Sequence, residues 1–198
     1  MTAHATGLPS PRVLCYTDHG TIKGGWILMT RIPGEALWDS HQSYSDEELT
    51  NILAGVGTWS HRIPGFASPY GTAVCGSNGG RIYTRAMPKE TWRRRESPED
   101  IYDDMLICTW NMKDSDRFKK EYAEACKLKD KSYRVVFGHG DLHFSNIMVQ
   151  DGRLTGIIDW GSAGWYPEYW DFAHPMSTWC DEWGWAVDFL YDMPGGEK

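Results

Sequence analysis

The stretch from Val135 to Gly164 constrains the fold more than any other part of the chain, because short apolar runs alternate with polar loops there. Three of these runs have the length and composition of strands: Val135–Phe137, Ile147–Val149 and Leu154–Ile158. The pair Asp151-Gly152 separates the last two runs and supplies the positive φ angles that a tight hairpin turn needs. The sequence therefore predicts a β-hairpin that brings its two flanking residues, Asn146 and Asp159, close together.

The polar residues beside these strands have the chemistry of a phosphate-transfer site. The carboxylate of Asp159 and the amide oxygen of Asn146 are hard oxygen ligands, which suit Mg²⁺. Asp141 lies at the opposite end of the same loop, where its carboxylate could accept a proton from an attacking hydroxyl. Phosphoryl transfer needs metal clamping of the phosphates and a positioned base, so these residue types favour that chemistry over an ordinary hairpin with polar turns.

The same residues carry a resemblance to a known family. His139, Gly140, Asp141 and Asn146 match the pattern H-G-D-x-x-x-x-N, and Ile158-Asp159-Trp160 follows in the expected order. The stretch resembles the catalytic core of the aminoglycoside phosphotransferase and choline kinase-like family, which are small-molecule relatives of protein kinases. The resemblance implies that Asp141 is the catalytic base and that His139 orients the loop. It also implies that Asn146 and Asp159 bind Mg²⁺, with ATP as the co-substrate and Asn146 close to it.

The resemblance implies an α+β, protein kinase-like fold that forms a single domain over residues 1–198. Residues 1–34 would be a remnant of the small lobe and the hinge, with two antiparallel strands at Arg12–Thr17 and Trp26–Ile32. Residues 35–198 would form a mainly helical large lobe crossed by the catalytic hairpin. The hinge backbone would hold the adenine ring through Met29, Thr30, Arg31 and Ile32. On strand pattern alone, the two strands are equally well explained as the edge of some sheet.

The sequence departs from the family at its N-terminal end. Residues 1–10 contain no Gly-rich loop followed by a strand lysine, and Lys23 lies in the turn between the two strands. We therefore expect most of the nucleotide lid to be missing, with weak ATP binding and slow or absent turnover. The alternative is a catalytically inactive remnant or binding module of the same fold. The apolar hinge strands would then be exposed, and self-association through their edges is a secondary expectation.

A second enzyme class, the metallophosphoesterases, is suggested by Gly140-Asp141-Leu142-His143, which is similar to metal-binding G-D-x-H fragments. That class needs further histidine motifs downstream, and the only later histidine is His174. A phosphotransferase is therefore favoured.

Helices are predicted on both sides of the core stretch. The clearest is Ser45–Arg62, where Ser45 and Glu48 form a capping box. Its core face carries apolar residues at helical spacing: Leu49, Ile52, Leu53, Val56 and Trp59. Three more helices are expected: Ser97 to about Met112, Asp114–Lys127 and Tyr169–Leu190. The intervening segment Ile63–Arg81 is rich in Gly, Pro and Ser and predicts a long loop.

Some polar and aromatic residues keep more than one interpretation. His143 would either hydrogen-bond within the loop or contact phosphates or substrate. Asp171 would cap a helix or brace the catalytic loop rather than react. The C-terminal tryptophans are either core residues or an aromatic wall for a cationic substrate.

Composition limits the partners. The formal net charge is −7 over 198 residues, which disfavours nucleic-acid binding and suits a small-molecule acceptor, including a cationic one. Acidic residues could bind an amine and aromatic residues a quaternary ammonium group, and the sequence does not choose between them. No apolar run is long enough for a membrane helix, no signal peptide is visible, and the five scattered cysteines are typical of reduced thiols, so a cytoplasmic protein is expected.

Overall fold

The computed structural model describes residues 10–17, 25–62, 67–84, 89, 92–101 and 132–171. Within these residues the strands are, in chain order: β1 (Val13–Thr17), β2 (Trp26–Met29), β3 (Glu35–Ala36), β4 (Cys75–Gly76), β5 (Val135–Gly138), β6 (Ile147–Gln150), β7 (Arg153–Ile157) and β8 (Gly164–Pro167). The helices are α1 (Leu37–Ser40) and α2 (Asp46–Arg62), and short 3₁₀ turns cover His41–Ser43, Phe144–Asn146 and Trp160–Ser162.

The chain divides into two compact units, and the single-domain assignment stays a prediction. The first unit contains Met1–Arg62 and His143–Asp159, and the second contains Ile63–Leu142 and Trp160–Lys198. The predicted catalytic motif is therefore divided in sequence between Leu142 and His143.

The first unit contains the predicted hairpin. Strands β6 and β7 pair antiparallel, and β3 adds to the free edge of β6. The turn between them has φ = 52° at Asp151 and φ = 69° at Gly152, as the Asp-Gly pair predicts. Gly34 approaches this sheet closely, because a Cβ at its position would lie 2.0 Å from the carbonyl oxygen of Val149. Only glycine fits there, where φ is +92°.

Helix α2 confirms the predicted capping box and core face. The backbone N–H of Ser45 donates to Glu48 Oε2 over 2.9 Å, and the Glu48 N–H donates back to Ser45 Oγ over 3.3 Å. The hydrogen bonds from the Ser45 backbone and hydroxyl lower the pKa of Glu48. The five predicted core residues are all buried: Leu49, Ile52, Leu53, Val56 and Trp59.

The second unit is built on a sheet in the order β4–β8–β5, with all pairs antiparallel. Strand β8 corrects the sequence analysis, which predicted no strand between Asp159 and the helix at Tyr169–Leu190. All four residues of β8 are buried, so the run lacks the polar and apolar alternation that marks a strand in sequence. Strand β4 is a second correction, because it lies within the predicted loop Ile63–Arg81.

The remaining sequence predictions have mixed outcomes. Strand β1 is confirmed, whereas β2 ends at Met29 instead of Ile32. A helix begins near the predicted cap, where the Ser97 N–H donates to Asp100 Oδ2 over 3.2 Å. The helix predicted at Tyr169–Leu190 begins at Trp170, and its residues 172–190 lie outside the described residues, with Trp179, Trp183 and Trp185 among them. The helix predicted at 114–127 and the continuation of the Ser97 helix also lie outside the described residues. In the part of the chain that the structure describes, no helix has the length and apolar character needed to cross a membrane.

The ribbon formed by β1 and β2 exposes apolar side chains in both strands. Seven of them are between 44% and 71% exposed: Val13, Leu14, Tyr16, Trp26, Ile27, Leu28 and Met29. A two-stranded ribbon offers two edges for pairing with another strand. We propose that a second copy of the chain pairs with this ribbon, as the sequence analysis expected.

Replacing Ile27 by lysine should weaken this self-association about tenfold or more, since burying such a side chain is worth about 1.5–3 kcal/mol. Sedimentation velocity at several protein concentrations measures it. The matched control is Tyr83→Lys, because Tyr83 is 49% exposed and lies outside the ribbon. A wild-type chain that stays monomeric at all concentrations would refute the proposal.

Candidate active site

The carboxylate of Asp171 holds the loop that follows β5. The backbone N–H groups of His139 and Gly140 donate to its two oxygens over 2.7 and 2.9 Å. Hydrogen bonds to a carboxylate are stronger than those between neutral groups. Of the two roles expected for Asp171, bracing of the loop is therefore the one observed. One side chain therefore fixes the backbone N–H groups of His139 and Gly140, the two residues before Asp141.

Gly140 is the point where this loop turns most sharply. Its φ is +80°, and a Cβ there would lie 2.2 Å from the carbonyl oxygen of Ser162 and 2.8 Å from Tyr166 Oη. No other residue type fits without a backbone shift. The loop backbone is therefore in direct contact with the turn Trp160–Ser162, which in sequence begins immediately after Asp159.

His139 and Asp141 lie together in the second unit. His139 is fully buried, and its ring lies 4.7 Å from the ring of Trp160, centroid to centroid. Its Nδ1 accepts the backbone N–H of Asp141 over 3.3 Å. Asp141 is 6% exposed. These contacts support the predicted orienting role of His139, because its ring holds the backbone of the residue that would act as base.

Tyr166 lies beneath the loop and stays protonated. Burial, followed by the charges of Asp171 and Asp141, raises the pKa of its phenol far above the usual range. The hydroxyl donates to the carbonyl oxygen of Ser162 over 2.7 Å, and the ring stacks on Trp170 with centroids 5.0 Å apart. The phenol is thus a permanent donor that ties β8 to the turn after Asp159.

The first unit contains the other half of the motif. His143 Nδ1 accepts the backbone N–H of Ser145 over 3.1 Å and lies 2.8 Å from its hydroxyl oxygen. This is the first of the two interpretations of His143, a hydrogen bond within the loop. The ring of His143 also lies 5.7 Å from that of Trp38, which is in the same unit.

Asn146 and Asp159 are neighbours across the end of the hairpin. The backbone N–H of Ile158 donates to the carbonyl oxygen of Asn146 over 2.9 Å, directly beyond the paired residues Ile147 and Ile157. Asp159 has φ = 61°, a left-handed conformation that Asp adopts more readily than most residues. The hairpin therefore places the backbone of Asn146 opposite Ile158, one residue before Asp159, and the meeting of the Asn146 and Asp159 side chains stays a prediction.

These two residues fit a magnesium ion by the chemistry of their oxygens. Mg²⁺ in nucleotide sites is held by one or two carboxylates together with phosphate oxygens and water, and not by an all-protein cage. Among the described residues, no group of three or more His, Cys, Asp or Glu residues that could hold a metal is found. Asp159 is exposed, so its carboxylate is accessible to a metal–nucleotide complex.

The predicted hinge residues include the last residue of β2 and the three residues after it. Met29 is the last residue of the strand and pairs with Val13. The N–H of Thr30 donates to the carbonyl oxygen of Arg12 over 2.9 Å, and Thr30 Oγ1 accepts the Arg12 N–H over 2.8 Å. These bonds leave Arg31 and Ile32 as the hinge residues beyond the paired segment.

The structure thus brings His139 and Asp141 into contact in the second unit, and in the first unit it places Asn146 and Asp159 at the same end of one hairpin. The sequence analysis did not identify Tyr166 as part of the loop support. The signal for it was its place in the aromatic segment after Trp160.

Comparison with known proteins places the chain in a family. A sequence model of the phosphotransferase enzyme family matches residues 2–190, so the chain belongs to that family. An aminoglycoside 3'-phosphotransferase of Enterococcus faecalis is 32% identical over 196 residues, which is 95% of this chain and 67% of the relative. That of Escherichia coli is 27% identical over 150 residues, 75% of this chain and 50% of the relative. The chain spans about half to two thirds of the length of these curated relatives.

Solved structures confirm the α+β, protein kinase-like fold. A mutant of aminoglycoside 2'-phosphotransferase IIIa in complex with GDP matches with a TM-score of 0.59 at 14% identity, over 92% of this chain and 57% of that chain. A thermostable mutant of aminoglycoside phosphotransferase APH(4)-Ia, in a ternary complex with ADP and hygromycin B, matches with a TM-score of 0.53 at 15% identity, over 99% and 59% of the two chains.

Replacing Asp171 by Asn should lower the free energy of unfolding by about 1–3 kcal/mol, because an amide nitrogen cannot accept and one loop N–H loses its partner. Urea unfolding measures this. The matched control is Glu168→Gln: Glu168 also accepts two kinds of donor, the N–H and guanidinium of Arg134, but Arg134 is exposed. We expect less than about 1 kcal/mol there. Equal losses in the two variants would show that Asp171 does not hold the loop.

Proposed function

We propose that this chain carries the phosphate-transfer site of an ATP-dependent small-molecule kinase, which moves the γ-phosphate to a hydroxyl of an amine-bearing acceptor. The observation that carries the proposal is the placement of the motif residues. Asp141 follows β5 in a braced loop, Asn146 precedes β6, and Asp159 follows β7. Membership of the phosphotransferase enzyme family supports the same chemistry.

In this proposal Asp141 is the general base. A base must lie within hydrogen-bond reach of the hydroxyl proton and must stay in one orientation. The backbone of Asp141 is held by His139, and the loop before it by Asp171. The neighbouring phenol of Tyr166 stays protonated, so it does not compete for the proton.

Asn146 and Asp159 would hold the metal through the amide oxygen of the first and the carboxylate of the second. Bound there with ATP, Mg²⁺ supplies charge neutralisation of the phosphate oxygens. The role of the chain is to fix these two ligands. The hairpin does so, because Asn146 and Asp159 flank its paired strands and are joined through the Ile158 N–H.

The nucleotide would contact the hinge at Met29, Thr30, Arg31 and Ile32. Because the N–H of Thr30 is bonded to Arg12, we expect the adenine contacts to come from the backbone of Arg31 and Ile32. Asn146 would lie beside the phosphates through the shared metal.

The acceptor would be a small molecule with both hydroxyl and amino groups. Two solved neighbours are complexes with ADP and an aminoglycoside, hygromycin B in one and streptomycin in the other. The net charge of −7 favours a cationic acceptor over an anionic one.

A binding module or inactive remnant of the same fold is the alternative. Transfer of phosphate from Mg-ATP to hygromycin B or streptomycin, followed by mass spectrometry of the product, separates the two. Product formation supports the kinase. Mg-ATP binding without product for any amine-bearing alcohol tested would favour the binding module.

Replacing Asp141 by Asn should lower kcat about 10²–10⁴-fold while the fold is kept, because the amide has the shape of the carboxylate but cannot take the proton. Steady-state transfer kinetics measure the change. The control Asp151→Asn alters an exposed hairpin residue in the same way and should leave kcat unchanged. Wild-type turnover in the Asp141→Asn variant would remove the base assignment.

Replacing Asp159 by Asn should weaken Mg²⁺-dependent nucleotide binding by about tenfold or more, since the metal loses its charged ligand. Calorimetry with ATP at increasing Mg²⁺ concentrations measures it. Asp151→Asn is again the matched control, because Asp151 also has a positive φ, so the backbone effect of the substitution is the same. An unchanged Mg²⁺ titration would exclude Asp159 as a ligand.

A further inference from the structure

The peptide between Gly140 and Asp141 is held at its carbonyl end by a residue outside the catalytic motif. The hydroxyl of Thr84 donates to the carbonyl oxygen of Gly140 over 3.0 Å. The only other donor recorded for that oxygen within the described residues is Trp170 Nε1, at 3.5 Å. The N–H end of the same peptide donates to His139 Nδ1 over 3.3 Å. Of the two hydrogen bonds at this carbonyl oxygen, the one from Thr84 is the shorter.

Thr84 is buried and is itself held in place by a hydrogen bond. It is 1% exposed, and its own carbonyl oxygen accepts the indole N–H of Trp92 over 2.9 Å. A buried hydroxyl that donates to a buried carbonyl is costly to lose, because neither group can turn to water. The pair lies 56 positions apart in sequence, so it is a tertiary contact and not part of a local turn.

The orientation of this peptide bears directly on Asp141. The carbonyl of Gly140 and the N–H of Asp141 belong to one rigid plane, and a change in the ψ angle of Gly140 turns that plane together with the Cα–Cβ bond of Asp141. Gly140, whose φ is positive, is a glycine and has backbone freedom that other residue types lack. The peptide plane between Gly140 and Asp141 therefore needs an external restraint. Asp171 restrains the two preceding peptides through their N–H groups and does not bond to this one.

We propose that Thr84 is a positioning residue of the catalytic loop, whose hydroxyl sets the direction of the Asp141 carboxylate. This inference rests on the proposed role of Asp141 as base. Asp171 fixes the loop from its N–H side, and Thr84 fixes the peptide that leads into the base from its carbonyl side. In this role Thr84 acts on Asp141 through the carbonyl group of Gly140.

The substitution Thr84→Val tests the inference, because valine keeps the β-branched shape and removes only the hydroxyl. We expect kcat to fall about 10- to 100-fold, the cost of a small misplacement of a reacting group. The KM values for ATP and acceptor should stay within about twofold, since binding groups are untouched. Thr84→Ser restores the hydroxyl and should recover kcat to within about threefold of wild type. Thr58→Val is the matched control, as the Thr58 hydroxyl also donates to a backbone carbonyl, that of Ala54 on helix α2.

Asp141→Asn, assayed in parallel, separates the two proposals. If it abolishes transfer and Thr84→Val keeps wild-type kcat, the inference on Thr84 is overturned and the base assignment stands. If Asp141→Asn keeps wild-type turnover, the base assignment fails, and the inference on Thr84, which rests on it, fails as well. A loss in Thr84→Val that Thr84→Ser does not recover, or that raises both KM values equally, also overturns the positioning role.

Hydrogen exchange gives a readout that does not need turnover. Exchange of the amide hydrogen of Asp141 should be about tenfold faster in Thr84→Val than in wild type and unchanged in Thr84→Ser and Thr58→Val. If the wild-type chain shows no transfer, the proposed function fails, and exchange alone decides whether Thr84 orders the loop. Equal exchange at Asp141 in wild type and Thr84→Val overturns the inference.

Discussion

The candidate active site depends on one electrostatic contact, the carboxylate of Asp171 against two backbone N–H groups. A loop that turns through Gly140 at φ = +80° cannot pair these groups with its own carbonyls, so they need an external acceptor. A carboxylate has two oxygens and a charge, and it satisfies both. Asp171 follows strand β8 and the stacked rings of Tyr166 and Trp170, which are buried and position Asp171 beside these N–H groups. The supports of the predicted base therefore come from the sheet and its core.

Local chemistry made part of the structure predictable from sequence. The Asp151-Gly152 pair predicted a tight hairpin, and the hairpin places Asn146 opposite Ile158, one residue before Asp159. The Ser45 and Glu48 capping box likewise predicted the start of α2 and its buried face. In each case the signal and the structure lie within a few residues of each other, so periodicity and turn chemistry were sufficient.

Features that depend on tertiary contacts could not be predicted in the same way. Strand β8 is buried on both faces between β4 and β5, so Trp165 and Tyr166 carry no alternation to mark it. The hydrogen bond from Thr84 to Gly140 joins residues 56 positions apart, and no sequence pattern around Thr84 predicts it. Asp171 was an intermediate case, because its place after the motif indicated a support role without naming the atoms that it holds.

Family membership and fold define the class of chemistry, whereas the site residues define how this chain would perform it. The most direct test is the position of a metal–nucleotide complex on the chain, measured by the NMR line broadening that Mn²⁺ with a non-hydrolysable ATP analogue causes in backbone amide signals. We expect the signals of Asp141, Asn146 and Asp159 to broaden first, and that of Glu168, which faces Arg134 at the surface, to stay sharp. Broadening elsewhere, with Asn146 and Asp159 unaffected at a saturating concentration of the complex, would contradict the assignment of this site.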